Sequence, residues 1–388
     1  MARSLLLVAP SLGAAAMPAA SGMSNIKNIV VLVQQNLPFD HFAGGLDYDS
    51  SIDGPQNPQY CNPANVSSPS QQVCANPNAK NIASDDPNHS ISGGNMQVSG
   101  TYHPLAGAKS SMEGFISEQR ASYPKDDLDR AAEAINYFTP EHIPNFGLFD
   151  RWFAAVPGPT NPNRAYLTSG TSHGHGHDDD DFLNSALPQK SIFEQLSEKG
   201  ITWKNYENST QSKPSFLPDA MFYEWTAKNG KENVVPISQF YSDAKAGALP
   251  QFTWPECCSY MSMHPPSPIN MGENFVKSIY EAVRNSPQWN ETLFILTWDE
   301  QGGFADHVSP PTDVPAGDSL TYTETARDGE PYTFHFDRLG IRVPIVLISP
   351  WVSKGLVQHK PSDGNEFTHT SILKFISEVW GLDSLSRA

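Results

Sequence analysis

The fold is decided by LFILTW at residues 293–298, a strand-length run that ends directly on the acidic pair Asp299 and Glu300. Two more runs have the same apolar character, IVVLV at 29–33 and IVLI at 345–348. Runs with almost no polar positions are typical of strands that are buried on both sides. Such strands belong to parallel sheets that carry helices on each face. The sequence therefore predicts a buried sheet at the centre of the molecule.

Helical patterns lie between these runs, at residues 191–199, 272–284 and 371–379. Strands that alternate with helices predict an α/β three-layer sandwich around a mostly parallel sheet. No internal repeat or clear linker divides the chain, so we expect residues 21–388 to form a single domain. Residues 47–110 are rich in Pro, Asn, Ser and Gly and lack apolar periodicity. They are predicted to form a loop-rich excursion from that domain.

The first 20 residues have the organisation of a signal peptide. Arg3 supplies a positive charge, an apolar run covers residues 5–8, and small residues follow at 14–16. This order predicts cleavage after Ala16 or Ala20 and a secreted, extracellular protein, the alternative being an ordinary frayed terminus. No later stretch approaches the roughly 18 apolar residues that a membrane span requires, so no transmembrane segment is predicted.

The chain has four cysteines, which suits a secreted protein. Cys61 and Cys74 bracket a loop rich in Pro, Asn and Ser, and we expect them to form a disulfide. Cys257 and Cys258 are adjacent and either pair with each other or pair elsewhere, a choice that the sequence leaves open. Together with a signal peptide, four Asn-x-Ser/Thr triplets predict a glycoprotein. They begin at Asn65, Asn88, Asn208 and Asn290.

The chain is strongly acidic, with 42 Asp and Glu against 25 Lys and Arg and a formal charge of −17. This charge disfavours binding to nucleic acid, whose phosphates it repels at long range. An anionic membrane surface offers no electrostatic attraction either. An anionic small substrate is still compatible with the composition, because a bound metal ion can reverse the sign of the field locally.

Polar side chains follow two of the predicted strands where each one ends. Gln35 and Asn36 come after the first apolar run, and Asp299 and Glu300 come directly after LFILTW. In open α/β sheets, ligands bind outside the carboxyl ends of the strands, and oxygen donors suit a hard metal ion. The alternative is that the acidic pair only solvates the start of a loop. The sequence GGFADH at residues 302–307 favours a site.

A second candidate element is PGPTNPNR at residues 157–164. Its prolines and glycine predict a rigid turn before Thr160, which is a suitable N-cap residue, while Pro162 falls in the first helical turn. A hydroxyl at a helix N-terminus lies among free N–H groups that favour an anion, which suits a nucleophile attacking phosphorus. The alternative is a threonine that only caps the helix.

Four sequence blocks resemble a known family. QNLPFDH at residues 35–41 is similar to ENRSFDH, and TNPNR at 160–164 matches TxPNR. DEQGGFADHV at 299–308 is similar to DExxGGxxDHVxxP, and GIRVP at 340–344, followed by SPW at 349–351, is similar to GxRVPxxxxSPW. These motifs belong to the secreted phosphoesterase family that includes phospholipase C and acid phosphatase. They run in the family's order over almost the whole mature chain.

The resemblance implies an alkaline-phosphatase-like domain with one divalent metal ion in the active site. It implies hydrolysis of phosphate monoesters or phospholipid head groups, through a phospho-enzyme intermediate on Thr160 that water then hydrolyses. The metal ligands carried over by motif position are Gln35, Asn36, Thr160, Asp299 and Glu300.

The same resemblance implies roles for histidines, which bind phosphate oxygens or protonate the leaving group. His307 lies within a matching motif, His264 lies in a His-Pro step similar to the family's NDxHP, and His89 matches an early family histidine more loosely. From their motifs, Arg164 and Asp306 are assigned to substrate binding.

The chain departs from the family at positions that matter for the metal. The family's first carboxylate is Gln35 here, and Ser262 stands where NDxHP carries aspartate. Metal affinity depends on the number of charged ligands, so these losses predict weaker or altered binding. The alternative function is therefore a protein of this fold that has lost hydrolysis and serves as a ligand-binding protein or a non-hydrolytic enzyme.

The run HGHGHDDDD at residues 173–181 is also rich in possible ligands. The family has a similar glycine- and acid-rich stretch after TxPNR, so a solvated or active-site rim loop is the favoured interpretation. A second metal site is the alternative.

Overall fold

An eight-stranded sheet runs through the centre of the computed structural model, which describes residues 24–385 except 57, 84, 106, 124–126, 209–216 and 258. The predicted signal peptide therefore lies outside the described residues. The strands are β1 (Asn28–Gln34), β2 (Cys61–Pro63), β3 (Gln72–Cys74), β4 (Gly147–Phe149), β5 (Trp152–Phe153), β6 (Trp203–Glu207), β7 (Val234–Pro236), β8 (Phe252–Pro255), β9 (Thr292–Trp298), β10 (Tyr322–Thr325), β11 (Pro331–Phe334), β12 (Ile345–Ile348), β13 (Val357–Gln358) and β14 (Phe367–Thr368).

The order of strands in the central sheet is β13-β4-β12-β9-β1-β8-β6-β7. The two middle strands, β1 and β9, are parallel and pair along their whole length, from Asn28 with Thr292 to Gln34 with Trp298. Both are buried at every position, as their apolar sequences predict. Within this sheet β12 runs against its neighbours β9 and β4, and the other pairings are parallel. The prediction of a mostly parallel sheet is confirmed.

Helices complete the three layers. The α-helices are α1 (Phe39–Ala43), α2 (Ile91–Ser99), α3 (Phe115–Ala121), α4 (Leu128–Ala131), α5 (Thr160–Ser169), α6 (Asp180–Leu183), α7 (Ile192–Glu198), α8 (Glu224–Asn229), α9 (Ile237–Ala246), α10 (Ile269–Arg284) and α11 (His369–Trp380). The short 3₁₀ helices are Ala132–Ile135, Ile143–Asn145, Asp219–Phe222, Lys231–Asn233, Ser259–Met261 and Trp289–Glu291. Helix α5 packs on α7 and α11, and α9 packs on α10. The predicted three-layer α/β sandwich is confirmed.

The three predicted helices are present as α7, α10 and α11, and each has a visible cause. Helix α7 is preceded by the N-cap residue Ser191, whose side chain accepts from the N–H of Glu194 in the first turn. Helix α10 buries Phe275, Ile279 and Val283, which are spaced four residues apart and form one apolar stripe. Helix α11 begins with a capping box at Thr368 and ends at a left-handed glycine. These local signals explain why the helix boundaries differ little from the predicted ones.

The segment at residues 47–110 is more ordered than its composition predicts. It contains the hairpin of β2 and β3, which the predicted disulfide between Cys61 and Cys74 closes. It also contains α2, whose first turn is capped by the Ser90 hydroxyl. Its buried side chains, Val98 among them, pack against Phe115 in α3. The disulfide is confirmed, and residues 91–99 form a helix that the composition of the segment did not predict.

Several predictions about processing and location stay predictions. Asn65 and Asn290 are exposed, as glycosylation requires. The pairing of Cys257 with Cys258 falls partly on a residue outside the described ranges. Across the described residues, no helix has both the length and the apolar character that crossing a bilayer requires.

Candidate active site

The carboxyl ends of β1 and β9 meet at one edge of the sheet. The backbone N–H of Asn36 donates to Asp299 Oδ1 at 3.3 Å, and the N–H of Asp299 donates to the carbonyl of Gln34 at 3.1 Å. Asn36 is left-handed, with φ of 63°. Gly302 lies against it so closely that a Cβ there would come within 2.4 Å of the Asn36 carbonyl oxygen. The glycine after the acidic pair thus lets the two strand ends approach each other.

The turn before α5 is held by one side chain. Asn163 accepts from the N–H of Val156 at 3.0 Å and donates to the carbonyls of Val156 and Gly158, at 3.1 and 2.9 Å. Pro159 occupies the cap position, so Thr160 is the first helical residue and not the N-cap that the sequence predicts. Because proline has no hydroxyl, the next amide of the helix is bound instead by the carboxylate of Asp178, at 2.7 Å from the Asn161 nitrogen.

A cavity of about 410 Å³ lies beside this helix start. Gln35, Thr160, Ser262 and His264 line it, so side chains from separate segments of the chain meet there. Its other polar lining residues include Arg164, Asp219 and Glu256, and its apolar lining residues include Leu217, Tyr260 and Pro266. The cavity thus combines polar groups with an apolar wall.

Buried side chains at this edge that have polar atoms without a hydrogen-bond partner among the described residues include the amide of Asn36, at both Oδ1 and Nδ2, the Oε1 atom of Glu300 and the amide of Gln301. Burial and the neighbouring charge of Asp299 raise the pKa of Glu300 well above its usual value. Unsatisfied buried groups call for an explanation such as an ion, and amide and carboxylate oxygens are the ligands that hard cations prefer. The residues present therefore fit a divalent metal ion.

Asp299 is engaged by the protein at both oxygens. Its Oδ1 accepts from the N–H groups of Asn36 and Glu300, and its Oδ2 accepts from Arg164 Nε at 2.9 Å. Arg164 is 6% exposed, and its Nη1 donates to Asp219 Oδ2 at 3.1 Å. Arg164, which its motif assigns to substrate binding, thus forms ion pairs with two carboxylates.

The predicted histidines His89 and His264 are close together, with ring centroids 6.1 Å apart. Nδ1 of His89 lies 2.7 Å from the Pro87 carbonyl, and Nδ1 of His264 lies 2.6 Å from the Pro265 carbonyl. A carbonyl only accepts, so Nδ1 carries the proton in both rings and Nε2 is the atom left for other contacts. The arrangement brings His264 to the cavity with His89 beside it.

His307 and Asp306 belong to a different cluster, built around the fully buried Arg342. Its Nε donates to Asp306 Oδ1 and its Nη2 to Asp40 Oδ1, each at 2.9 Å. His307 places Nδ1 2.7 Å from Asp40 Oδ2 and Nε2 3.0 Å from Asp53 Oδ1. Neither predicted residue is among the described residues that line the cavity with Thr160. Three carboxylates and one arginine hold this cluster together, outside the set of residues that line the cavity.

Residues 26–383 of the sequence match a family model described as "Phosphoesterase family". The chain belongs to the phosphoesterase family. Non-specific phospholipase C6 of Arabidopsis thaliana is 35% identical over 386 residues, covering 93% of this chain and 69% of the relative. Non-specific phospholipase C4 of the same plant is 36% identical and covers 95% and 70%. Phospholipase C B of Mycobacterium tuberculosis is 26% identical and covers 94% and 75%.

A solved structure was also matched, that of a protein in the alkaline phosphatase superfamily from Vibrio parahaemolyticus. It superposes on this phosphoesterase with a TM-score of 0.42 and 11% identity, over 92% of this chain and 67% of that chain. The fold class follows from the sheet and its helices, and the predicted family membership is confirmed by the family model.

Sequence reasoning missed several groups that shape the site of this phosphoesterase. His369 is fully buried, and its Nε2 lies 2.6 Å from the backbone carbonyl of Asp299; burial lowers its pKa to about 4. Asp219 and Glu256 are single acidic residues outside every motif, so no pattern distinguishes them. Asp178 lies in the acidic run predicted as a rim loop, and its bond to α5 is consistent with that interpretation.

We expect His307 to stabilise the phosphoesterase in a pH-dependent way. Burial would lower the pKa of its imidazole, but the hydrogen bonds to Asp40 and Asp53 outweigh burial and raise it to about 10. A raised pKa means that the contribution is complete below the unfolded value of 6.5 and is lost as the pH rises through about 10. His307→Gln should therefore cost roughly 2 kcal/mol of unfolding free energy at pH 6 and progressively less towards pH 10.

Urea denaturation at pH 6, 8 and 10 measures this difference. His103→Gln is the control, because His103 faces Asp328 in an exposed pair at 3.0 Å and should contribute little at any pH. A cost for His307→Gln that stays constant or grows with pH would contradict a charged imidazole.

Proposed function

We propose that this chain is a secreted, metal-dependent phosphoesterase that hydrolyses phospholipid head groups or phosphate monoesters, with Thr160 as nucleophile. The observation that carries the proposal is the meeting of Thr160, Gln35 and His264 around one cavity, next to the unsatisfied buried groups of Asn36 and Glu300. The relatives' names, phospholipases C, favour a phospholipid substrate. The disulfide in the β2–β3 hairpin supports export, because such bonds persist in oxidising compartments.

In this proposal Asn36, Glu300 and Asp299 would hold the divalent ion, and Gln35 and Thr160 would complete the ligand set. Such an ion lowers the pKa of a bound hydroxyl and neutralises charge on the phosphoryl group. The turn before α5 presents the Thr160 hydroxyl. Attack by Oγ forms a bond to phosphorus and releases the alcohol, and water then cleaves the phosphothreonine.

The leaving oxygen needs a proton, and His264 is the residue of the cavity that is suited to donate it. Its Nδ1–H is bound to the Pro265 carbonyl, so a second proton on Nε2 would be the mobile one. His89 lies beside His264 and keeps a second ring close. In this proposal the histidine of the His-Pro step, and not His307, has the acid role.

The second candidate function, ligand binding or a non-hydrolytic reaction, is favoured by the two missing carboxylates. Gln35 and Ser262 are neighbours in space, since the N–H of Gln35 donates to the Ser262 carbonyl at 2.9 Å. Ser262 is 1% exposed and lines the cavity together with Gln35. Both losses therefore affect one part of the site, and substitutions there separate the two candidates.

Gln35→Glu should tighten binding of a divalent ion about tenfold, because it adds a unit charge next to the proposed ligands. Turnover of p-nitrophenyl phosphate and of phosphatidylcholine should rise with it. Ser262→Asp, alone and combined with Gln35→Glu, tests whether the two positions act together, since neighbouring sites need not be additive. Titration calorimetry and initial rates measure both effects. Gln71→Glu is the control, because it adds the same charge at an exposed site.

The two candidate functions predict different outcomes for these variants. Variants that bind metal more tightly but hydrolyse neither substrate would favour the non-hydrolytic candidate. If Gln35→Glu and Gln71→Glu had the same metal affinity as the wild type, position 35 would not be a ligand.

A further inference from the structure

The side chain of Arg164 joins all the segments that carry the proposed metal ligands. It extends from α5, one turn after Thr160. Its Nε donates to Asp299 Oδ2 at 2.9 Å at the end of β9, and its Nη2 donates to the Val33 carbonyl at 3.3 Å near the end of β1. One guanidinium thus connects α5, the helix that carries Thr160, to the ends of β1 and β9.

Asp219 anchors the other side of this guanidinium. Nη1 of Arg164 lies 3.1 Å from Asp219 Oδ2, which also accepts from the indole N–H of Trp254 at 2.9 Å. The backbone N–H of Asp219 donates to Glu256 Oε1 at 2.7 Å, and that oxygen also accepts from Asn205 at 2.9 Å. Asp219 is therefore fixed by strands β6 and β8, and it keeps the arginine from rotating away from Asp299.

A planar guanidinium with these contacts is poorly suited to bind substrate as well. Each of its three nitrogens already donates to the protein, and the side chain is almost entirely buried. A phosphate that took over the hydrogen bonds of Asp299 or Asp219 would break a buried ion pair and leave an uncompensated charge. A planar guanidinium with these contacts instead fixes the orientation of the carboxylate that it binds.

We propose that Arg164 is a positioning residue that sets Asp299 and the end of β1 against Thr160, and that it does not contact substrate. The inference rests on the proposed function, because the metal ligands are the ones assigned there. Its main readout is metal affinity, which does not require hydrolysis. Groups that orient metal ligands typically contribute 10–100-fold to affinity.

Arg164→Lys tests the proposal, because lysine keeps the charge but cannot reach three acceptors in one plane. We expect the dissociation constants for Zn²⁺, Mg²⁺ and Ca²⁺, each titrated alone into the full chain, to rise roughly 10–100-fold for the ions that the wild type binds. Turnover should fall through kcat, with KM for p-nitrophenyl phosphate little changed. Asp219→Asn keeps the shape of the anchor and should change the same quantities less, which provides a test even if Arg164→Lys does not fold.

Arg342→Lys is the matched control. Arg342 is also a fully buried arginine that bridges two aspartates and two backbone carbonyls, but none of its partners is a proposed metal ligand. Its substitution should lower the melting temperature without changing metal affinity. Equal changes of metal affinity in the Arg164 and Arg342 variants would show a global effect and overturn the proposal.

An Arg164→Lys protein with wild-type metal affinity and a raised KM would also overturn the proposal, because it would make Arg164 a substrate contact. A wild type that binds metal but hydrolyses nothing would refute only the proposed function, and the metal affinities would still decide the role of Arg164. A wild type that binds none of the three ions would contradict both.

Discussion

Thr160→Ala should lower kcat on phosphate esters by roughly four powers of ten, because removal of a nucleophile abolishes the covalent route. Thr160→Ser should keep part of the activity, since serine retains a hydroxyl on the first turn of α5. The turn itself should survive both changes. It is held by the Asn163 side chain, which bonds the backbone of Val156 and Gly158. Initial rates on p-nitrophenyl phosphate and phosphatidylcholine, with circular dichroism of each variant, measure the effect.

Thr168→Ala is the control for the loss of a threonine hydroxyl from the same helix. Thr168 is fully buried, and its hydroxyl lies 2.6 Å from that of Tyr223. This variant should lose stability but keep its kcat. A Thr160→Ala protein with wild-type turnover would rule out Thr160 as the nucleophile, whatever else holds for the cavity.

Glu300→Gln should weaken metal binding by roughly 100-fold or more, because ligand charge governs affinity for hard cations. Glu300 is fully buried, its Oε2 accepts from the N–H of Gly302, and its Oε1 has no partner among the described residues. Burial and Asp299 raise its pKa, which means that the charged form is disfavoured without an ion. The metal-free variant should therefore be at least as stable as the metal-free wild type, while stabilisation by added metal should disappear.

Thermal melting with and without divalent ions measures both parts of this prediction. Glu118→Gln is the matched control, since Glu118 is equally buried but accepts from Asn88, Tyr102 and Arg327. It should destabilise the protein and leave metal affinity unchanged. If Glu300→Gln instead destabilised the metal-free protein and kept the metal-induced shift, Glu300 would be a structural carboxylate and not a ligand.

The parts of the fold that local sequence determines can be predicted well. Residues 29–33 and 293–298 are apolar on both faces, and they form the adjacent central strands β1 and β9. The polar groups after each strand meet at one edge because both strands run in the same direction. The direction of β12 is not predictable, since an apolar run has the same pattern in a parallel and an antiparallel pairing.

The site can be predicted where motifs lie at strand and helix ends, and less well where long-range charge pairing decides. His307 follows the acidic pair closely in sequence, but Asp40, Asp53 and Arg342 form a separate cluster with it. These partners lie far away in the chain, so no local pattern indicates them. The same holds for the arginine of α5, because its contact with the carboxylate at position 219 depends on how that helix packs over the sheet.

The central claim is that Thr160 attacks phosphorus in this cavity, and trapping of the intermediate tests it most directly. The full chain, mixed with p-nitrophenyl phosphate and a divalent ion and quenched in acid within milliseconds, would be digested and analysed by mass spectrometry. We predict one phosphate on the peptide that contains Thr160, present in the wild type and absent from Thr160→Ala. A wild type that turns over substrate with no phosphopeptide under any quench time, or with phosphate on another residue, would contradict the account.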